Sequence, residues 1–209
     1  MKRLLHINAS PRRERSRSGM VAEHFLERIR AKYPSMEVER LDLFDADLPA
    51  FDQDAVEGRY HLLAGNPVEP AQATAWQSLK EWTDHFLSFD AWLIAAPMWN
   101  FGIPYRLKQY IDILTHPGLT FRNDSEGNVE GLAHGRRAMI FAASAMPFGS
   151  VPEIDGLDFQ LAYLKTWLGF IGVTDIHAVR VAGTFGPDDV VAAGMARAFS
   201  DADNLVDQL

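Results

Sequence analysis

Two short runs of this 209-residue chain hold groups whose types and spacing suit ligand chemistry. The first is "NASPRRERSRSGM", from Asn8, in which Ser10, Ser16 and Ser18 set hydroxyls around the start of a helix. A helix start offers unpaired N–H groups and the positive end of its dipole, and hydroxyls add short donors, so the run suits a phosphate. It is not G-x-x-x-x-G-K-[ST], so the lysine of a triphosphatase loop is missing, and it is not the G-x-G-x-x-G of a dinucleotide site. A monophosphate fits it better. The plainer alternative is a serine N-cap beside a solvated, arginine-rich loop, which is a common arrangement.

The second run is "AAPMWNFGIPYRLKQYID", residues 95–112. It starts as a buried strand and then places Trp99, Asn100 and Phe101 between Pro97, Gly102 and Pro104. Proline stiffens such a turn, and glycine lets backbone approach a ligand closely. Its N–H groups suit the polar edge of a flat heterocycle, with Trp99 over the face and Asn100 at the edge. Aromatics usually fill cores, but a tight, polar-flanked turn is a poor place for three core residues.

Residues of these types need elements to hold them. "RLLHINA" (3–9), "MEVERLDL" (36–43), "DAWLIAAP" (90–97), "RRAMIFAAS" (136–144) and "DIHAVRVAG" (175–183) read as strands. Helical spacing lies between them: Val21, Phe25, Leu26 and Ile29, then Trp76, Leu79, Thr83, Phe86 and Leu87, then Leu107, Tyr110, Ile111 and Leu114, then Leu161, Leu164 and Leu168. "GPDDVVAAGMARAF" (186–199) opens with proline and acids, which are helix-start signals. Residues 45–70 have no sustained period and are expected to be a long excursion. Alternating strands and helices predict one α/β domain, a five-stranded parallel sheet with helices on both faces. In such sheets ligands sit beyond the carboxyl ends of strands where the order reverses. For the flavodoxin-like order 2-1-3-4-5 that point lies between strands one and three, whose following loops are the two runs above.

Composition narrows the partners. Net charge is −8, from 20 basic and 28 acidic residues, which disfavours nucleic acid held by its phosphates. The chain has no cysteine, so disulfides, thiolate metal sites and a cysteine nucleophile are excluded. No signal peptide and no stretch of membrane-span length is seen, so a cytoplasmic protein without a membrane partner is expected. None of the seven histidines forms a ligand pair at helical spacing, so no metal is expected. His116 is the only histidine near the predicted site, and a lone histidine of this kind is more often structural or solvated.

Four stretches in order, "SPRRERSRS" (10–18), residues 95–112, "GLTFRNDSEGNVEGLAHGRRA" (118–138) and "LKTWLGFIGVTDI" (164–176), carry a resemblance across nearly the whole chain. The chain resembles the flavin-dependent azoreductases, also described as NADH:quinone oxidoreductases, of the flavodoxin-like superfamily. The resemblance implies a three-layer sandwich and non-covalent FMN. It also implies a homodimer with active sites at the subunit interface. NADH or NADPH would donate two electrons, in a ping-pong cycle, to quinones or azo compounds. Ser10, Ser16, Arg17 and Ser18 would surround the FMN phosphate. Pro97, Met98, Trp99, Asn100 and Phe101 would line the isoalloxazine and ribityl chain, with Ser144 on a further loop. Phe121 would be the aromatic that one subunit offers to the other's substrate pocket.

No side chain is required as nucleophile, and no protein acid is assigned, since the cofactor carries the chemistry. Two departures stand out. The family commonly has tyrosine where this chain has Trp99, and the loop after the fourth long strand is often Ser-Arg-Gly-Gly where this chain reads "ASAMPFGS" (143–150). Arg12, Arg13, Arg15 and Arg17 either read the 2′-phosphate of NADPH or form a solvated loop. The apolar content of 118–121 and 145–149 is the sequence motive for a dimer. An FMN electron carrier without nicotinamide reactivity and a cofactor-free interaction domain are the other readings.

Overall fold

The computed structural model describes residues 1–209. Five parallel strands form the central sheet: β1 (Arg3–Asn8), β2 (Glu37–Asp42), β3 (Ala91–Pro97), β6 (Arg137–Ala143) and β7 (Asp175–Val181). Their order is β2-β1-β3-β6-β7. That is the expected 2-1-3-4-5 order. The two extra numbers belong to a small antiparallel hairpin, β4 (Phe121–Asn123) and β5 (Val129–Gly131), whose pairing was not foreseen.

The central strands are apolar on both faces because both faces are covered. On one side Leu5, Ile7, Trp92 and Ile94 pack under α3 (Pro70–Leu87), α4 (Tyr105–Leu114) and α6 (Phe159–Phe170). On the other, Leu4, Leu93 and Phe141 pack under α1 (Arg17–Lys32) and α7 (Asp188–Gln208). In β3, Ala91 to Ala96 are all buried. Trp92 is fixed twice: its ring stacks on Phe86 at 4.0 Å, and its indole N–H donates to the Phe86 carbonyl at 2.9 Å.

Helix starts follow local chemistry. Ser16 caps α1 by accepting from the Gly19 N–H, and Asp158 caps α6 by accepting from the Leu161 N–H. Helix α3 begins with Pro70 behind a capping box of Glu69 and Gln72.

Residues 45–70 are not the irregular excursion expected. They hold α2 (Gln53–Leu63), capped by Asp52. Only Ala55 and Gly58 of this helix are buried, so it shows no apolar period. A Cβ at Gly58 would lie 2.8 Å from the Gln72 carbonyl oxygen, so the missing side chain is what lets α2 cross α3 closely. A one-turn helix, α5 (Pro152–Asp155), was also not foreseen.

The hairpin is seated on the sheet domain by backbone. A Cβ at Gly131 would lie 2.1 Å from the Gly172 nitrogen, and the Ala133 N–H donates to the Ile171 carbonyl at 2.7 Å. No side chain fits there without moving the turn that feeds β7. Gly131→Ala is expected to destabilise the fold by about 3 kcal/mol, at the upper end of overpacking costs. The urea midpoint measures it, and a loss below about 0.5 kcal/mol would show that the hairpin seat is soft.

Candidate active site

Four of the loops that leave the carboxyl edge of the sheet are tied to a neighbouring strand as they leave. The Ala9 N–H donates to the Ala95 carbonyl (2.9 Å) and the Leu43 N–H to the Asn8 carbonyl (3.0 Å). The Met98 N–H donates to the Ala143 carbonyl (2.6 Å) and the Ser144 N–H to the Val181 carbonyl (3.0 Å). The first residues of each loop are therefore placed by the sheet.

In the first loop, Ser10, Ser16 and Ser18 are all buried, at 1%, 3% and 0% exposure. The Ser16 and Ser18 hydroxyls lie 3.2 Å apart and share one hydrogen bond, so one of their two protons has no acceptor. The Ser10 hydroxyl accepts from the Arg12 N–H at 3.3 Å, and its own proton is likewise free. Ser16 has the extended backbone (ψ 119°) of an N-cap residue. The N–H groups of Arg17 and Ser18 are then left to an outside acceptor. Two hydroxyl protons and two N–H groups without partners in the chain thus lie around the positive end of a 16-residue helix. Arg17 is half-buried beside them, while Arg12, Arg13 and Arg15 are exposed, and Arg13 pairs with Asp45 at 2.9 Å.

In the second loop, the Trp99 and Gly102 N–H groups each donate to the other's carbonyl at 3.0 Å. Between them Asn100 (φ 49°) and Phe101 (φ 68°) are both left-handed. This is the pattern of a type I′ turn, which normally uses Asn-Gly. Phenylalanine there costs about 1–2 kcal/mol. The N–H groups of Asn100 and Phe101 bond nothing within the chain. Trp99 is 37% and Phe101 45% exposed, so neither is a core residue. Trp99 leans on Phe44 and Tyr105, with ring centroids 5.8 and 6.2 Å away. A cavity of about 780 Å³ opens beside the turn, lined by Phe51, Trp99, Asn100, Ile103 and Tyr105. Pro97 and Met98, just before the turn, are half-buried.

In the third loop, the buried Ser144 hydroxyl donates to the Met146 carbonyl at 2.8 Å, closing a small turn. The Ala145 and Met146 N–H groups have no partner within the chain. Phe148 is 2% exposed and belongs to this chain's interior, which removes part of the apolar motive for a dimer. Exposed aromatics elsewhere, Phe159, Phe170 and Phe185 among them, supply that motive instead.

Phe121 stands apart from these loops. It opens the hairpin, and its ring packs on Phe170 at 4.8 Å. His116 is fully buried between Phe51 and Trp76, with both ring nitrogens unpartnered. Burial, and then the Arg59 charge, pull it down to about 4, so it is neutral at physiological pH. No cluster of three histidine, aspartate or glutamate side chains could hold a metal, and no helix is long and apolar enough to cross a membrane.

Sequence reasoning missed several supports. Asn8, 1% exposed, donates through Nδ2 to Asp42 at 2.7 Å and accepts from the Ser10 N–H at 3.3 Å. Gln160, also 1% exposed, donates to the Ala96 carbonyl at 3.1 Å. Arg106 donates to the carbonyls of Leu43 and Ala46. Asn8 and Asp42 had a signal, a polar residue closing the strand in "HIN" and in "RLD". Gln160 and Arg106 had none, since each acts on a distant carbonyl.

A family model described as "Flavodoxin-like fold" matches residues 2–205. The FMN-dependent NADH:quinone oxidoreductase of Nitratidesulfovibrio vulgaris (strain DP4) is 45% identical over 194 residues, 92% of each chain. FMN-dependent NADH:quinone oxidoreductase 3 of Pseudomonas fluorescens is 37% identical, over 100% of this chain and 98% of its own. Among solved structures, an FMN-dependent NADH-azoreductase from Bacillus anthracis str. Ames Ancestor, in complex with FMN, superposes with a TM-score of 0.84 at 26% identity. That match covers 99% of this chain and 100% of that one. An azoreductase from Bacillus anthracis str. Sterne gives 0.89 at 25% identity, over 100% of both chains. The chain belongs to the flavodoxin-like family, and within it to the FMN-dependent NADH:quinone oxidoreductases.

Proposed function

We propose that the protein is an FMN-dependent NAD(P)H oxidoreductase that passes two electrons, in a ping-pong cycle, to quinones and reductively cleaves azo compounds. The observation that carries this reading is the set of free donors on the first two loops. Ser10, Ser16, Arg17 and Ser18 would hold the phosphate, neutralising its charge with N–H and O–H dipoles and one guanidinium. The Asn100 and Phe101 N–H groups would bond the polar edge of the ring system, with Pro97, Met98 and Trp99 along its rim. Ser144 would shape the third side, beside the free N–H groups of Ala145 and Met146. FMN, when bound, supplies the hydride chemistry. The protein contributes position, charge stabilisation and exclusion of water. None of the residues named for the site is a histidine, aspartate or glutamate, which fits a site that binds and orients without proton transfer by a side chain.

The strained turn supports the same reading. A phenylalanine in a left-handed position persists where its surroundings hold it, and such strain concentrates at ligand clamps. The N–H groups of Asn100 and Phe101 have no partner in the chain.

The whole chain is read as one domain working as a homodimer in the cytoplasm. Support for the dimer comes from the exposed rings of Phe101, Tyr105, Phe159, Phe170 and Phe185 on one domain of this size. Phe121, at the start of the hairpin, would then be the aromatic that one subunit offers to the other's substrate pocket. The absence of cysteine suits a reducing compartment.

The purified protein is expected to be yellow, to lose its visible flavin absorbance with anaerobic NADH, and to oxidise NADH with menadione or methyl red. A colourless preparation that refuses FMN would overturn the reading. A flavin that photoreduces but is not bleached by NADH would point to an electron carrier instead.

Phe101→Gly should separate strain from binding. It is expected to raise the unfolding free energy of the FMN-free protein by about 1 kcal/mol, by relieving the left-handed residue. It should also weaken FMN by about fivefold, because a glycine turn must be ordered when ligand binds. Denaturant melts and fluorescence titration read the two effects. Sedimentation at micromolar concentration is expected to give a dimer, and a fully active monomer would remove the shared-site proposal for Phe121.

A further inference from the structure

The first loop is tied to a hydrogen-bonded chain that starts at the buried Asn8 and runs out to the surface at Arg40 and Glu23. Asn8 and Asp42 are register partners at the ends of β1 and β2, so their side chains lie on the same face of the sheet. The Asn8 amide nitrogen donates to one Asp42 carboxylate oxygen at 2.7 Å. Its amide oxygen accepts from the Ser10 N–H at 3.3 Å. The second carboxylate oxygen accepts from the Arg40 Nε at 3.3 Å, and Arg40 donates onward to Glu23 of α1 at 2.8 Å. One line of bonds thus joins Ser10, the ends of two strands and the second turn of the helix whose start faces the phosphate.

The direction of each bond matters. An amide has a donor end and an acceptor end, whereas a carboxylate only accepts. Asp42 therefore forces the Asn8 side chain to present its NH2 to the carboxylate and its oxygen to the Ser10 N–H. A flipped amide would face two donors at Ser10 and two acceptors at Asp42. Arg40 offsets the Asp42 charge, and Glu23 beyond it leaves the line with one net negative charge. We infer that Asn8 and Asp42 are positioning residues for the phosphate loop, setting how strongly the protein selects the phosphorylated flavin over the same flavin without its phosphate. This rests on the FMN reading above, because it assigns the phosphate to Ser10, Ser16 and Ser18.

Charge alone gives the opposite sign. Asp42→Asn removes a negative charge near the phosphate, so simple electrostatics would tighten FMN. The brace predicts the reverse. An asparagine at 42 sets one oxygen and one NH2 where the carboxylate has two acceptors, so either Asn8 or Arg40 faces an NH2 group and the partner at 42 no longer imposes a direction on the Asn8 amide.

The experiment compares the dissociation constants of FMN and riboflavin, by flavin fluorescence, in the full-length FMN-stripped protein. The variants are Asp42→Asn, Asn8→Leu and the two together, with thermal melts for each. Wild type is expected to prefer FMN. Each single variant should weaken FMN by about tenfold, the loss of one charge-assisted hydrogen bond, and change riboflavin by less than about twofold. The double variant should be no weaker than Asn8→Leu alone, since both substitutions break one line of bonds. A general loosening of the fold would weaken both flavins by the same factor, and that result would overturn the inference. So would an Asp42→Asn protein that binds FMN as tightly as wild type or more tightly. If Asn8→Leu fails to fold, the sign of the Asp42→Asn effect still decides. A wild-type protein with no preference for FMN over riboflavin would overturn the phosphate assignment itself, a result distinct from either of these.

Discussion

A parallel sheet pairs its backbone only along its length, so each strand that ends must hand its chain to a loop whose N–H groups need other partners. Here the ladder continues for one bond past several strand ends and then stops. Ala9, Leu43, Met98 and Ser144 each make that last bond. The groups beyond it are at Asn100, Phe101, Ala145 and Met146, whose N–H groups have no partner in the chain, and at the start of α1. Because the last bonds are rigid, these free donors are held in fixed relation to one another. The site is thus a consequence of where the sheet runs out.

Free donors alone would collapse onto the nearest carbonyl or disperse into solvent. The turn at 99–102 is kept from doing so by anchors on both sides. Before it, six buried residues of β3 and the Gln160 bond to Ala96 fix the strand's exit. After it, α4 is clamped by Arg106 to the carbonyls of Leu43 and Ala46 and by Gln109 to that of Pro49. The strain at Phe101 is about 1–2 kcal/mol. It is small beside the burial of Leu107, Tyr110, Ile111 and Leu114, at roughly 1.5–3 kcal/mol for each large apolar side chain. The core can hold a turn that the local sequence would not choose.

The sheet and its main helices were legible because two-faced burial writes continuous apolar runs such as "AWLIAA" and helical spacing such as Leu107, Tyr110, Ile111 and Leu114. Helix α2 was not, because it buries only Ala55 and Gly58 and relies on a glycine contact for its packing. The hairpin was not, because its strands are three residues long and its decisive residue is Gly131, whose fit depends on Gly172 far along the chain. Within the site, the serines and the "PMWNF" turn carry their chemistry in their own types and spacing. The bonds of Gln160 and Arg106 span about sixty residues each and leave no local mark. Trp99 falls between these cases: its exposure was foreseeable, but its support by Phe44 and Tyr105 depends on two other elements.

The loop after β6 shows how a missing pair of glycines can be absorbed. Where relatives are expected to have glycine, this chain has Ala145, Met146 and Pro147, none of which takes a left-handed backbone. The turn is made by other means. The Ser144 hydroxyl bonds the Met146 carbonyl, and the left-handed residue is Gly149 (φ 80°), whose N–H is held by Asp155 at 2.7 Å. Phe148 then points inward and pins the loop to the core. The glycine requirement has moved along the loop, and the N–H groups of Ala145 and Met146 are still free. What changes is bulk: methionine and proline side chains stand where hydrogen would be. The free backbone donors at this edge are therefore kept, although the loop carries larger side chains than glycine.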